Sequence, residues 1–365
     1  MPTHSRPQVL AETLEQLGRL DPHDAHVVVV DNASTPTVSV PRVLNNSLRV
    51  EVVRLETNIS AAARNAGVQR CLDVRGGSAS ESHWIVMLDD DSAPLSSQFL
   101  NVLRLTEADV AVVAAEVLLP PSADGETRHE AGGLPEVFIG CGAAIRAGVF
   151  QSLGGFDPSF DYYAEEYDLS ARVLLSGCRV QFDRRFVVQH RKVEQGRDFD
   201  RIVANLVRNN AWVMARYAPD GERDPQIRQQ ISRYAQVAER EQANAGYQRG
   251  LAELKATLPG QPRRPMSEDL WHRFIGYDAA CRHLSTLTQL GTTSIVERGK
   301  NDDVIEKAAR DCGLRLTADP VTADTRLVGT LSPGPMLDGA TRLRKTALSR
   351  VITPWQLAGG SVGCS

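Results

Sequence analysis

An α/β fold with a largely parallel sheet is predicted for this chain by two patterns. Short valine-rich strands alternate with helices, and two of those strands run straight into carboxylates. Pro7 to Leu20 reads as an amphipathic helix, with Val9, Leu10, Leu14 and Leu17 at helical spacing and Pro7 in the first turn. His26-Val-Val-Val-Val-Asp31 reads as a buried strand ending in an acid, and Leu48 to Leu55 as another strand. Ser60 to Leu72 suits a helix with Ser60 as its cap. Trp84-Ile-Val-Met-Leu-Asp-Asp-Asp91 is a strand that delivers three adjacent carboxylates to the sheet edge. A helix near Ser96–Thr106 and a strand over Val110–Leu118 follow. Ligands of such sheets sit beyond the carboxyl ends of the strands, where both Asp31 and Asp89–Asp91 fall.

Further on, Glu136 to Arg146 reads as a glycine-containing β segment, Gly154 to Asp157 as a loop and Tyr163 to Gly177 as a helix opening with Glu165 and Glu166. Strands near Cys178–Phe182 and Phe186–His190 come next, then long helices over Asp198–Ala218 and Pro225–Thr257. Leu258 to Pro265 has the composition of a linker. A helix near Glu268–Leu290 precedes a final alternation: strand Thr293–Val296, helix Asp302–Cys312, strands Leu314–Thr317 and Arg326–Thr330, helix Leu337–Arg350. The expected domains are 1–218, a helical connector with a proline-rich linker over 219–266, and a small C-terminal α/β unit over 267–365.

Composition excludes several classes of function. Lys plus Arg is 41 against 45 for Asp plus Glu, so no basic field points to nucleic acid. No apolar run approaches the ~20 residues that span a bilayer, and Met1 to Pro7 lacks the apolar core of a signal peptide. The six cysteines are scattered with no Cys-x-x-Cys pair, which reads as reduced thiols in a cytoplasmic protein.

Three adjacent carboxylates repel one another, and a divalent cation is the usual remedy; a solvated acidic turn before Ser92 is the alternative. The order of motifs favours chemistry. Asp31-Asn-Ala-Ser34, then Asn58 with Ala63-Arg64-Asn65-Ala-Gly67, then Asp89-Asp90-Asp91, then Gly154-Gly-Phe-Asp157 with Glu165-Glu166-Tyr-Asp168, and finally His190, resembles the family 2 inverting glycosyltransferases of the GT-A fold. The likeness is to rhamnosyl- and galactofuranosyl-transferase-like members and covers about residues 1–192.

The resemblance implies a nucleotide-diphosphate sugar donor, a divalent metal (Mn2+ or Mg2+) and transfer to a carbohydrate, lipid-linked or small-molecule acceptor, as in polysaccharide biosynthesis. It places the metal on Asp89, Asp91 and His190 and the donor on Thr3, Asp31, Arg64, Asp89 and Asp90. Departure of the diphosphate builds negative charge, which a metal stabilises as a Lewis acid, and a guanidinium fork such as that of Arg64 suits phosphate. Inversion needs a base for the acceptor hydroxyl; the resemblance gives that role to Glu166, with Glu165 binding the acceptor. Glu166 stands where the family commonly has aspartate, one methylene shorter, and Ser60 where it often has glycine. Read without the resemblance, Glu165 and Glu166 are acids answering a helix dipole, and Asp168 with Arg172 is an i,i+4 brace.

Two segments fall outside the pattern. Pro2-Thr3-His4-Ser5-Arg6 resembles the turn that follows the family's first strand, yet Met1 stands where that strand should end; an upstream start, or another segment in the gap, is expected. From about residue 268 nothing is accounted for. Ser294 to Lys300 could face phosphate as a strand–loop–helix, and acceptor choice or self-association is the expected role of the whole segment. A sugar-phosphate nucleotidyltransferase is the rival enzyme reading, although no glycine-rich loop lies near Pro2–Pro7; a non-catalytic nucleotide-sugar-binding relic is the other.

Overall fold

In chain order the elements are β1 (Pro2–Thr3), α1 (Pro7–Leu17), β2 (His26–Asn32), β3 (Arg49–Leu55), α2 (Ala63–Val74), β4 (Trp84–Met87), β5 (Ser92–Pro94), α3 (Gln98–Leu105), β6 (Val110–Leu119), β7 (Arg128–His129), β8 (Ala143–Arg146), α4 (Ala147–Ser152), α5 (Glu165–Leu175) and β9 (Arg179–His190). They continue as α6 (Phe199–Tyr217), α7 (Asp220–Arg240), α8 (Asn244–Thr257), α9 (Glu268–Ile275), α10 (Tyr277–Leu284), β10 (Thr292–Val296), α11 (Asp302–Asp311), β11 (Arg315–Leu316), β12 (Thr325–Val328), α12 (Pro333–Thr346) and β13 (Arg350–Ile352). The computed structural model describes residues 1–74, 83–122, 125–192, 198–346 and 349–357. The chain forms two compact units: Met1–Asp91 with Ile145–Gly177 and Val193–Trp271, and Ser92–Ala144 with Cys178–Lys192 and His272–Ser365. His272–Ser365 falls in the second unit together with Ser92–Ala144 and Cys178–Lys192.

In the first unit β2 lies between β1 and β3, all parallel, with Thr3 opposite Asp31 and Asp31 opposite Arg54. The β-branched run of β2 buries Val28 and Val30 against Ala63 of α2, with Val53 and Leu55 of β3 packed beside them. A Cβ on Gly67 would come within 2.9 Å of the Val30 side chain, so only glycine lets α2 settle this close to the sheet. That close approach sets the height of Arg64, one turn earlier. The place of the expected first strand is taken by two residues: the Met1 amino group donates to the Val28 carbonyl (2.9 Å), and the Met1 carbonyl accepts from the Val30 amide (2.8 Å).

In the second unit β6 runs parallel to β9, with β8 on its other side, and β5 pairs antiparallel with β9. The strands expected near Cys178–Phe182 and Phe186–His190 are one strand, β9, with an irregularity between them: Ala115 faces Asp183 while Glu116 faces Val187. Buried Asp183 staples the bulge by accepting from the Arg185 backbone (2.9 Å) and guanidinium (2.6 and 3.0 Å). The C-terminal strands form a parallel sheet in the order β11-β10-β12-β13. The helix expected over 268–290 breaks at Gly276, whose φ of 86° is left-handed, and the one expected over 225–257 is α7 and α8.

His129 in this unit is held between carboxylates, with Nδ1 on Asp338 (2.6 Å) and Nε2 on Glu116 (3.0 Å), the latter also bound by Arg184 (3.1 Å). Burial disfavours its charge, but the two acids prevail and lift its pKa from 6.5 to about 9. A raised folded-state value stabilises in full below about 6.5 and ceases to do so as the pH climbs through about 9. The unfolding midpoint in urea, followed from about pH 6 to about pH 10, is expected to fall, with a loss on the order of 3 kcal/mol that His129→Gln abolishes. A flat profile in the wild type would contradict this.

Candidate functional site

The acidic triplet does not hang in solvent. Asp90 is fully buried and accepts from Thr3 Oγ1 (2.6 Å) and Arg6 Nε (3.2 Å), while its carbonyl accepts from Thr13 of α1. Burial pushes the Asp90 carboxyl above its usual range, against the pull of Arg6 and Thr3. Arg6 reaches Asp91 as well, at 3.5 Å. Asp89 is paired with Arg64, whose guanidinium also lies 5.9 Å from the Phe156 ring centroid. Two guanidinium groups therefore stand against three carboxylates. Thr3 and Asp90, both expected to meet the donor, are bonded to each other.

Asp31 is buried and heavily satisfied. Its Oδ1 accepts from the Ser34 amide (2.8 Å), and its Oδ2 from the Val38 amide (3.2 Å) and from Arg54. Burial would raise its pKa; the Ser34, Arg54 and Val38 hydrogen bonds outweigh it and hold the carboxyl below the usual range. The geometry is that of a turn-capping aspartate.

Arg64 is the electrostatic hub of this unit. Burial opposes its charge, but Asp89, Glu165, Glu166 and Tyr162 together raise its pKa. Its Nε is buried without a hydrogen-bond partner. Four residues singled out in the sequence, Arg64, Asp89, Glu165 and Glu166, are thus brought into one field. Glu165 is buried, its Oε2 has no partner, and burial followed by the charge of Glu166 drives its pKa well above the ordinary range. The shift favours the protonated carboxyl, the form in which this group can donate a hydrogen bond.

The approach to this acid pair is strained. Asp161, Tyr163 and Ala164 have φ of 60°, 73° and 66°, and none is glycine. Asn209 of α6, fully buried, donates its amide to the carbonyls of Phe160 (2.7 Å), Tyr162 (2.9 Å) and Tyr163 (2.7 Å). Arg201 and Asn205, also on α6, hold the Asp161 carboxylate (2.9 and 3.1 Å). Ser60 is likewise left-handed (φ 56°), which gives a physical reason for glycine at that position; it opens a short 3-10 turn that leads into α2. Asp168 and Arg172 form the expected i,i+4 pair.

His190 lies in the second unit, at the end of β9 and in register with Ser92, the residue that follows Asp91 in the chain. Its Nδ1 stands 2.9 Å from Glu130 and 3.7 Å from Cys141 Sγ. Burial would raise the Glu130 pKa, but His190 and Lys192 lower it. A carboxylate on Nδ1 directs the lone pair of a neutral ring to Nε2, the form in which histidine binds metals.

Arg6, Glu130 and Asn209 were not legible as site residues. Only Arg6 carried a signal, its place in the Pro2–Arg6 turn. The Ser294–Lys300 segment does not present a phosphate loop: Gly299 and Gly329 are tied backbone to backbone (2.8 Å), and the first turn of α11 carries Asp302 and Asp303, which repel anions. Among the described residues no helix is long and apolar enough to cross a membrane.

Residues 1–153 match the family described as Glycosyl transferase family 2. No curated protein matches the chain. Among solved structures, GalNAc-T7 with UDP, GalNAc and Mn2+ aligns at TM-score 0.40 and 15% identity over 67% of this chain and 53% of that one, so this chain spans about half its length. TarS 1-349 of S. aureus in complex with UDP aligns at 0.42 and 16% over 64% and 70%. TarS 1-349 without UDP in its description aligns at 0.43 and 14% over 84% and 81%. Over residues 1–153, then, this chain is similar to glycosyl transferase family 2.

Proposed function

We propose that the protein is an inverting glycosyltransferase that moves a sugar from a nucleotide-diphosphate donor to an acceptor hydroxyl. The observation that carries this reading is the shared field of Arg64, Asp89, Glu165 and Glu166, of which Arg64 and Asp89 lie within the family match and Glu165 and Glu166 beyond its end at residue 153. The donor set suits Mn2+ or Mg2+: Asp89 and Asp91 are hard oxygen ligands already facing cationic side chains, and His190 offers a nitrogen oriented by Glu130. When bound, such an ion supplies Lewis-acid stabilisation of the diphosphate.

This chain's own residues do the rest. Arg64, which pairs with Asp89, offers a guanidinium fork that would suit phosphate oxygens. Asp90, locked by Thr3 and Arg6, fixes the backbone that carries Asp89 and Asp91. Asp31 rigidifies the 31–38 turn against which a base would rest. Glu165 binds the acceptor, and Glu166 takes the proton of the attacking hydroxyl.

Calorimetric titration with UDP, dTDP and GDP, each with and without Mn2+, tests the reading. One diphosphate is expected to bind in a metal-dependent manner and to lose that dependence in Asp91→Ala. A folded chain that binds none of the three overturns the reading.

A further inference from the structure

The C-terminal sheet has the topology of a small ligand-binding fold, with a use of its own. From β10 the chain passes through α11 to β11 on one side; β12, α12 and β13 then build on the other. The switch point lies between β10 and β12, where open α/β sheets leave a crevice for ligands. Here the two loops are laced together: the Gly299 amide donates to the Gly329 carbonyl (2.8 Å), Gly329 to Val296 (2.7 Å) and Leu331 to Lys300 (3.0 Å).

The chain's own 129–135 segment lies over this edge. Ser332, just beyond β12, accepts from the Gly132 amide (3.1 Å) and donates to the Gly132 carbonyl. A Cβ on Gly334, in the first turn of α12, would stand 2.3 Å from the Glu130 carbonyl oxygen and 2.8 Å from the His129 side chain. One turn along, Asp338 binds His129 through both its amide (3.1 Å) and Nδ1 (2.6 Å). Three separate contacts therefore fix the stretch that carries Glu130, and Glu130 in turn holds His190 Nδ1.

We propose that the segment from β10 to α12 is an internal brace whose ligand crevice is given over to residues 129–135, and that Ser332, Gly334 and Asp338 are positioning residues for the Glu130–His190 pair. The metal role of His190 rests on the preceding reading; the brace itself does not. Ring 15N spectra of His190 in the full-length chain, at one fixed pH, test it. The wild type is expected to show Nδ1 as the protonated, carboxylate-bonded nitrogen. Gly334→Ala and the milder Asp338→Asn are expected to shift that signature toward a mixture of tautomers, as Glu130→Gln does outright. Asp302→Asn, on the exposed start of α11, is expected to leave it unchanged. A His190 spectrum unaltered in both brace variants overturns the proposal. Titration with Mn2+ alone separates the two readings: a brace variant is expected to bind about tenfold more weakly than wild type. A wild-type chain that takes up no Mn2+ removes the metal role while the spectra still decide the brace.

Discussion

Replacing Asp168 by alanine is expected to destabilise the chain by on the order of 3–5 kcal/mol, a large part of the total stability of an ordinary domain. Asp168 is 1% exposed and accepts from Arg216 (2.8 Å) and the Tyr217 hydroxyl (2.6 Å) on one oxygen and from Arg172 (2.9 Å) on the other. Arg216, itself buried, keeps Asp157 (2.7 Å) and Gln261 (2.8 Å), and Arg172 keeps the carbonyls of Leu153 (2.7 Å) and Gly155 (2.8 Å). Removing the shared acceptor leaves two guanidinium groups short of counter-charge away from water, which costs far more than an exposed pair would. Urea unfolding with an unchanged slope measures the loss. The double variant Asp168→Leu with Arg216→Met is expected to recover part of it, because the penalty lies in the orphaned charge. A loss below about 1 kcal/mol in the single variant would show that the network is not what seats α5.

Glu166→Gln is expected to lower turnover about 10²- to 10⁴-fold, the usual worth of a general base, while leaving the affinity for the nucleoside diphosphate as it was. The amide keeps the shape and removes only the proton-accepting oxygen. Glu166→Asp, one methylene shorter, is expected to retain a substantial share of the rate. Glu165→Gln is expected to be milder than Glu166→Gln, since an amide keeps the shape and hydrogen-bonding capacity needed to bind an acceptor and only the base must take up a proton. Single-turnover transfer measured beside diphosphate titration separates the two effects. Equal activity of Glu166→Gln and wild type would move the base elsewhere.

What was legible in advance follows physical lines. The strands ending at Asp31 and in the acidic triplet stood out because β-branched and apolar runs bounded by charge have few other readings. Arg64 and the Glu165–Glu166 pair were placed by motif order, and the structure puts them in one field. Arg6 and Glu130 were missed because their partners lie 84 and 60 residues away, a distance that no local pattern encodes. β9 was expected as two strands because the charged Asp183-Arg-Arg185 stretch interrupts the apolar pattern; the ion pair within the strand carries the chain through it. Thr3, Asp31 and Asp90 were chosen for chemistry toward a ligand, yet each is committed to the fold, since small polar residues beside a sheet edge serve both purposes with the same atoms.

The amide of Asn209 also bears on how such a site can be inherited. Three carbonyls of a left-handed stretch lean on one side chain borne by α6, well past the last residue of the family match. The portion that is recognisable in sequence and the portion that keeps the acid pair in place are therefore different lengths of chain. Recombination or truncation at residue 153 would carry Arg64 and Asp89 along and leave both the acid pair and its support behind, so the stretch from Glu165 through α6 must travel with the recognisable part.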